Sequence, residues 1–220
     1  YFNNFIVWYT IIVGRFVGGD ALAAVGSTGS MVFLVNGFAT GLTSGFAVLV
    51  SQKFGAKDEK GLRKATASAI TLTVISVIVA TIVSLLGAKP LLKLMNTPEN
   101  IMGDAYIYVK IIYGGIIATV AYNFIASILR ALGDSKTPLY FLIVSSVLNI
   151  ILDLVFIINF KMGVAGAAYA TIISQGVSAI LCLIYTYKRF TILRLKKEDF
   201  NVKRRYYHKH LKIGIPMALQ

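Results

Sequence analysis

The chain has 220 residues, is 57% hydrophobic and only 14% charged, and has a mean hydropathy of +0.75. That balance excludes an ordinary soluble globular domain of this size and leaves an all-α multi-pass membrane protein, because only helices or closed barrels satisfy their backbone inside lipid. The net charge of +13 raises a nucleic-acid partner, which the placement of the charges, taken up below, argues against.

The first element is an apolar run over residues 1–15 that has no initiator Met and no cleavable signal pattern, so this copy reads as cut at its start. Uncharged stretches then follow at 21–52, 65–88, 111–129, 137–160 (broken only by Asp153) and 162–187. Each has the roughly 19 residues or more needed to cross hydrocarbon. With the first run they make six spans. Between spans three and four, Lys89-Pro90-Leu91-Leu92-Lys93-Leu94-Met95 reads as a short amphipathic interfacial piece. Thr97-Pro98-Glu99 then supplies an N-cap, a proline at the first helical position and an acid in the first turn. The string Gly133-Asp134-Ser135-Lys136-Thr137-Pro138 gives a helix-ending glycine, turn residues and a second Thr-Pro start, a tight hairpin between spans four and five. A further apolar segment opens after Lys212. The expected organisation is therefore a six-helix lobe at 1–187, a basic cytoplasmic inter-lobe loop at 188–212, and the start of a second, truncated lobe at 213–220.

Lys and Arg are distributed unevenly about these spans. The segments following spans two, four and six carry 17 of them, and the opposite side carries five, Arg15, Lys89, Lys93, Lys110 and Lys161. This is the positive-inside bias, and it puts the basic side in the cytoplasm and removes nucleic acid as a partner. The last basic loop is placed to meet membrane lipids with anionic headgroups. Within it, His208 and His210 have no Cys or acid at metal spacing and are expected to be solvated. Cys182 is alone in span six and is expected to pack.

Small residues recur every four positions at Gly37, Gly41 and Gly45 and at Gly166, Ala170 and Ser174, the pattern that lets helices approach closely. The segments beginning at Val17-Gly18-Gly19 and at Met162-Gly163 are alike, each an outer turn feeding a small-residue helix.

Asp153 is the chain's most informative residue. A carboxylate at membrane depth costs roughly 2.5 to 3.5 kcal/mol, so it calls for a role and a partner. Asn149 stands four residues earlier, on the same helical face. Counted from Pro138 at about 1.5 Å per residue, Asp153 lies about 22 Å from the cytoplasmic boundary, in the outer half of a ~30 Å core. Thr171 on span six lies at comparable depth, and the short outer connection makes spans five and six neighbours. One carboxylate, one amide carbonyl and one hydroxyl suit a hard cation such as Na⁺; the same buried carboxylate suits H⁺. Asn149 and Asp153 bonded to each other as packing is the other reading. Asn36, Asn123 and Gln175 sit mid-span as interhelical hydrogen-bonding groups or cavity-lining residues, and Tyr113 and Tyr122 are deep enough to line a cavity for a planar cation. Tyr106, Tyr108, Tyr185 and Tyr187 fall near membrane boundaries, where an aromatic belt is expected. No phosphate loop, nucleophile–base arrangement or zinc pattern appears, so no soluble-type enzyme and no cofactor are expected.

Several strings, in order, resemble the first half of a multidrug and toxic compound extrusion (MATE) transporter. They are Ile11-Ile12-Val13-Gly14-Arg15-Phe16-Val17-Gly18 with Ala21-Leu22-Ala23-Ala24-Val25-Gly26, then Ser51-Gln52-Lys53-Phe54-Gly55-Ala56-Lys57, then Ile128-Leu129-Arg130-Ala131-Leu132-Gly133-Asp134-Ser135-Lys136-Thr137-Pro138, and Gly163-Val164-Ala165-Gly166-Ala167-Ala168. The resemblance implies one six-helix lobe of a twelve-helix antiporter in a bacterial cell membrane, exchanging H⁺ or Na⁺ for small organic cations or drugs by alternating access. It also implies a coupling site at Asp153, Asn149 and Thr171, and a second lobe as partner. Relatives place an additional Asp where this chain has Tyr9, which makes proton coupling at least as plausible here as sodium. A lipid-linked precursor flippase of the same superfamily and a non-transporting scaffold are the alternatives; the negative intramembrane charge favours a cationic cargo.

Overall fold

The computed structural model describes Gly14 and residues 17–219; Tyr9 and the rest of span one lie outside the described residues. Seven α-helices follow: α1 Gly19–Gly55, α2 Glu59–Leu94, α3 Glu99–Gly114, α4 Ile116–Ala131, α5 Lys136–Leu154, α6 Gly163–Arg189 and α7 Arg204–Ala218. Short 3₁₀ pieces at Thr191–Leu193 and Lys197–Phe200 join α6 to α7. Spans two, three, five and six correspond to α1, α2, α5 and α6, each long and apolar enough to cross a membrane. Span four is the pair α3 and α4, bent by 45°.

The bend falls at Gly115, where a side chain would collide with Ile172 of α6. Continuous apolar composition at 111–129 hid this break.

α1 is central, packing against α2, α3, α4 and α7. Its small residues make this possible: Cβ atoms at Gly41 and Gly45 would run into the backbone of α7 at Met217–Ala218 and Gly214. Gly37, in the same stripe, has nothing near it. Outward, α2 shows Val74, Ile75, Ile78, Val79, Ile82, Val83 and Leu86 as exposed residues, a lipid-facing stripe at helical spacing. Two main apolar clusters fill the lobe. One joins Met31, Leu92, Val109, Tyr113 and Ile157; the other joins Phe46, Leu62, Phe124 and Ile128.

The turns depart from expectation in detail. Lys89–Met95 is no separate interfacial piece, because α2 runs through Pro90 to Leu94 and buries Leu92. Thr97 does not cap α3; Pro98 occupies the cap position with no side-chain bond, and the Thr97 hydroxyl is buried without a partner. At the hairpin between α4 and α5 Gly133 takes φ +90°, as a helix-ending glycine should. There Asp134, ahead of the Thr-Pro pair, does the capping, its Oδ1 accepting from the Thr137 N–H at 3.0 Å and its Oδ2 from the Thr137 hydroxyl at 2.8 Å. Tyr185 is drawn from the boundary belt to the same carboxylate, donating to Oδ2 at 3.1 Å. The two outer glycine turns that looked alike both have positive φ, Gly18 at +117° and Gly163 at +58°, and Val17 lies against Gly163.

Candidate cation site

The site is built on α5, whose sides are inverted relative to a water-soluble helix. Leu139, Leu142, Ile143, Val147, Ile151 and Leu154 are exposed, whereas the buried positions are Pro138, Ser145, Asn149 and Asp153. Polar groups spaced by four form one stripe turned inward, and apolar groups face lipid. Just beyond Asp153 the helix widens into a π-turn over Val155–Asn159, and Gly166 of α6 fits closely against Phe156 and Met162. This tight turn sets α5 and α6 side by side.

Two hydrogen bonds fix their antiparallel register. Ser178 donates to the Phe141 carbonyl at 3.0 Å, and Asn149 Nδ2 donates to the Thr171 hydroxyl at 3.5 Å. Thr171 in turn donates to the Ala167 carbonyl at 3.0 Å. Asn149 and Asp153 are 2% and 1% exposed. Asn149 therefore hands its amide across to α6, and its Oδ1 and the Asp153 Oδ1 are both buried without a hydrogen-bond partner. Two anionic or carbonyl oxygens left unsatisfied on one face of a buried helix are the donor set that a hard cation or a proton would complete. Among the described residues the ion pairs are Lys53–Asp58 and Arg63–Asp199, neither of which involves a residue of the α5 stripe. No group of three or more His, Cys, Asp or Glu that could hold a metal ion occurs among them either.

The chain matches a known family model, MatE, over residues 4–155. The chain belongs to the MatE family. A probable multidrug resistance protein of Bacillus subtilis (strain 168), YpnP, is 38% identical to the MatE chain over 213 residues, covering 94% of this chain and 46% of that protein. Among solved structures, an inward-facing multidrug resistance MATE transporter of the MOP superfamily superposes with TM-score 0.89 at 28% identity over 98% of this chain and 49% of its own. An outward-facing form does so with TM-score 0.90 at 28% identity, over 99% of this chain and 48% of its own. The chain thus spans about half the length of the relatives it matches.

Within the MatE lobe the remaining polar residues fall into two groups. Gln175, one turn beyond Thr171, has a buried Oε1 without a partner, and so does the Tyr113 hydroxyl; by the α5–α6 register Gln175 is level with Ser145. Ser145 is a member of the stripe that was not singled out beforehand, although its spacing of four from Asn149 was there to read. The other group is structural. Tyr122 is buried and donates to the Pro138 carbonyl at 2.7 Å, joining α4 to α5 rather than facing open space. Asn123 donates back to the Thr119 carbonyl of its own helix at 2.9 Å, not across to a neighbour, and Asn36 is half-buried on α1. Cys182 is buried and unpaired by disulfide.

Proposed function

We propose that this chain is the first lobe of a cation-coupled antiporter in a bacterial cell membrane, expelling drug-like organic cations in exchange for H⁺ or Na⁺. The second lobe of the same protein would be its partner, and Asp153, Asn149 and Thr171 its coupling site. The observation that carries this reading is the pair of buried oxygens, Asn149 Oδ1 and Asp153 Oδ1, left without partners. An empty ionised carboxylate holds an organic cation nearby; a proton or Na⁺ arriving from outside neutralises that charge and weakens the hold. One elementary charge moving through 100 mV supplies about 2.3 kcal/mol, enough for a roughly fifty-fold gradient. The near-equal match to inward- and outward-facing relatives supports lobes that rock as bodies about a central cavity.

The test is Asp153→Asn in the full-length protein, with pH and sodium varied separately. Insertion is expected to be intact and ion-driven efflux abolished; undiminished efflux would sink the coupling role of Asp153.

A further inference from the structure

His210 stands in the most basic part of the chain, flanked by exposed His208 and Lys209, and was expected in solvent. It is 0% exposed. Its Nε2 lies 3.0 Å from the Ser68 hydroxyl and 3.1 Å from the Ala65 carbonyl. A carbonyl only accepts, so Nε2 carries the proton and donates. The Ser68 hydroxyl, within 2.8 Å of the Lys64 carbonyl, donates there and offers its lone pair to the same N–H. Nδ1 is buried without a partner, and the Phe46 ring meets the imidazole edge-on at 5.8 Å. One turn later Gly214 lies against Phe46 and the Leu42 carbonyl, and the backbones of α1 and α7 cross at Gly41 and Gly45. Thus α7 is held by a buried polar contact to α2 and by two turns of backbone-on-backbone packing to α1.

The matches to both conformations bear on what this helix does. A superposition covering 98% of the chain on the inward-facing relative and 99% on the outward-facing one cannot leave out the 15 residues of α7. The alignment to each of the two conformations thus extends over the helix that by sequence leads into the second lobe.

We infer that α7 belongs mechanically to the first lobe, with His210 as the positioning residue that latches it to α2, and that the hinge of the rocking motion lies C-terminal to Ala218. The hinge rests on the alternating-access reading above; the latch does not. It gives the inter-lobe helix a defined task. Rocking of the second lobe is transmitted from a helix end anchored on α1 and α2 rather than dissipated along the whole basic segment from Lys188.

Two measurements on the full-length protein test it. In hydrogen exchange, His210→Ala should speed exchange of the α7 amides by about tenfold, the counterpart of losing a buried hydrogen bond, without altering α3 to α6. His210→Gln, whose amide can donate from a similar position, should restore most of the protection. Unchanged α7 exchange in His210→Ala, or an equal increase throughout the lobe, would overturn the latch. Because this readout needs no transport, its failure is separable from failure of the antiport reading. In the second measurement, spin labels at Lys60→Cys and Lys209→Cys, both exposed positions, report the α2–α7 distance in states driven by pH, sodium and an organic cation. One unchanging distance is expected. A distance that shifts between states would show that α7 leaves the first lobe, and the hinge would then lie before it.

Discussion

Asn149 on α5 donates to the hydroxyl of Thr171 on α6 at 3.5 Å, and this contact, with that of Ser178 to the Phe141 carbonyl, sets which polar groups share a level in the lobe. With that register, Asp153 lies one turn to the outer side of the pair and Gln175 one turn to the inner side. Thr171→Val keeps the shape and removes the hydroxyl. If Thr171 is a ligand, the coupling-ion concentration for half-maximal transport should rise by roughly tenfold, the equivalent of about 1.4 kcal/mol. Measured against sodium at fixed pH and against pH without sodium, the axis that moves identifies the ion; movement on neither would remove Thr171 from the site.

Gly45→Ala probes the α1–α7 crossing. The added methyl would land on the Gly214 backbone, so the helices must separate at an expected cost of about 1–3 kcal/mol. A lowered Tm in detergent is expected, together with selective loss of exchange protection in α7. The same change at Gly37, where a Cβ meets nothing, should leave both unchanged.

Asp134 joins the α4–α5 hairpin to α6. Burial pushes its carboxyl up, but hydrogen bonds from the Thr137 N–H and hydroxyl, the Tyr185 hydroxyl and the Lys136 N–H outweigh this and hold it below its ordinary 3.8. A depressed carboxylate contributes stability that is present above its unfolded pKa and lost as pH falls through the folded one. Wild type should therefore lose the Asp134 contribution only below about pH 4. Asp134→Ala, which removes the cap at every pH, should lower stability by about 1–2 kcal/mol at pH 7, read by Tm or denaturant titration. A wild-type Tm from the variant would show that the cap contributes nothing.

His210 has the opposite chemistry but the same sign. Burial pushes its pKa down to about 4, against the pull of the Ala65 and Phe46 carbonyls, from an ordinary value of 6.5. Released α7 would take up a proton that docked α7 refuses. Docking is therefore undiminished above pH 6.5 and weakens towards pH 4, by up to about tenfold per pH unit. Exchange of the α7 amides, corrected for intrinsic rates, is the readout; His210→Gln should flatten the profile, and an equally flat wild type would contradict the shift.

Much of this was legible in the chain because lipid imposes simple rules. Apolar length marked the spans, and the Lys and Arg bias set their sidedness. An interval of four placed Asn149 and Asp153 on one face. Those rules weigh single residues against a uniform solvent. They say nothing about which neighbour a residue meets, so they missed the close approach of Ile172 to Gly115 at the bend of span four and the capture of Tyr185 by Asp134. The solvated expectation for His210 failed for the same reason: polar composition around it described the outer side of α7, while its own side was taken by α1 and α2.

By itself, then, the sequence determined that this is a helical membrane lobe of known family pattern with one costly acid on span five. That follows from transfer energies, which depend on residue type and spacing alone. Only the tertiary structure decided that Asn149 turns to Thr171 instead of Asp153, leaving two buried oxygens open, and that α7 is clamped to the first lobe through His210 and Gly214. Both depend on how closely two backbones approach, which is set by packing between distant segments and by no local feature of either.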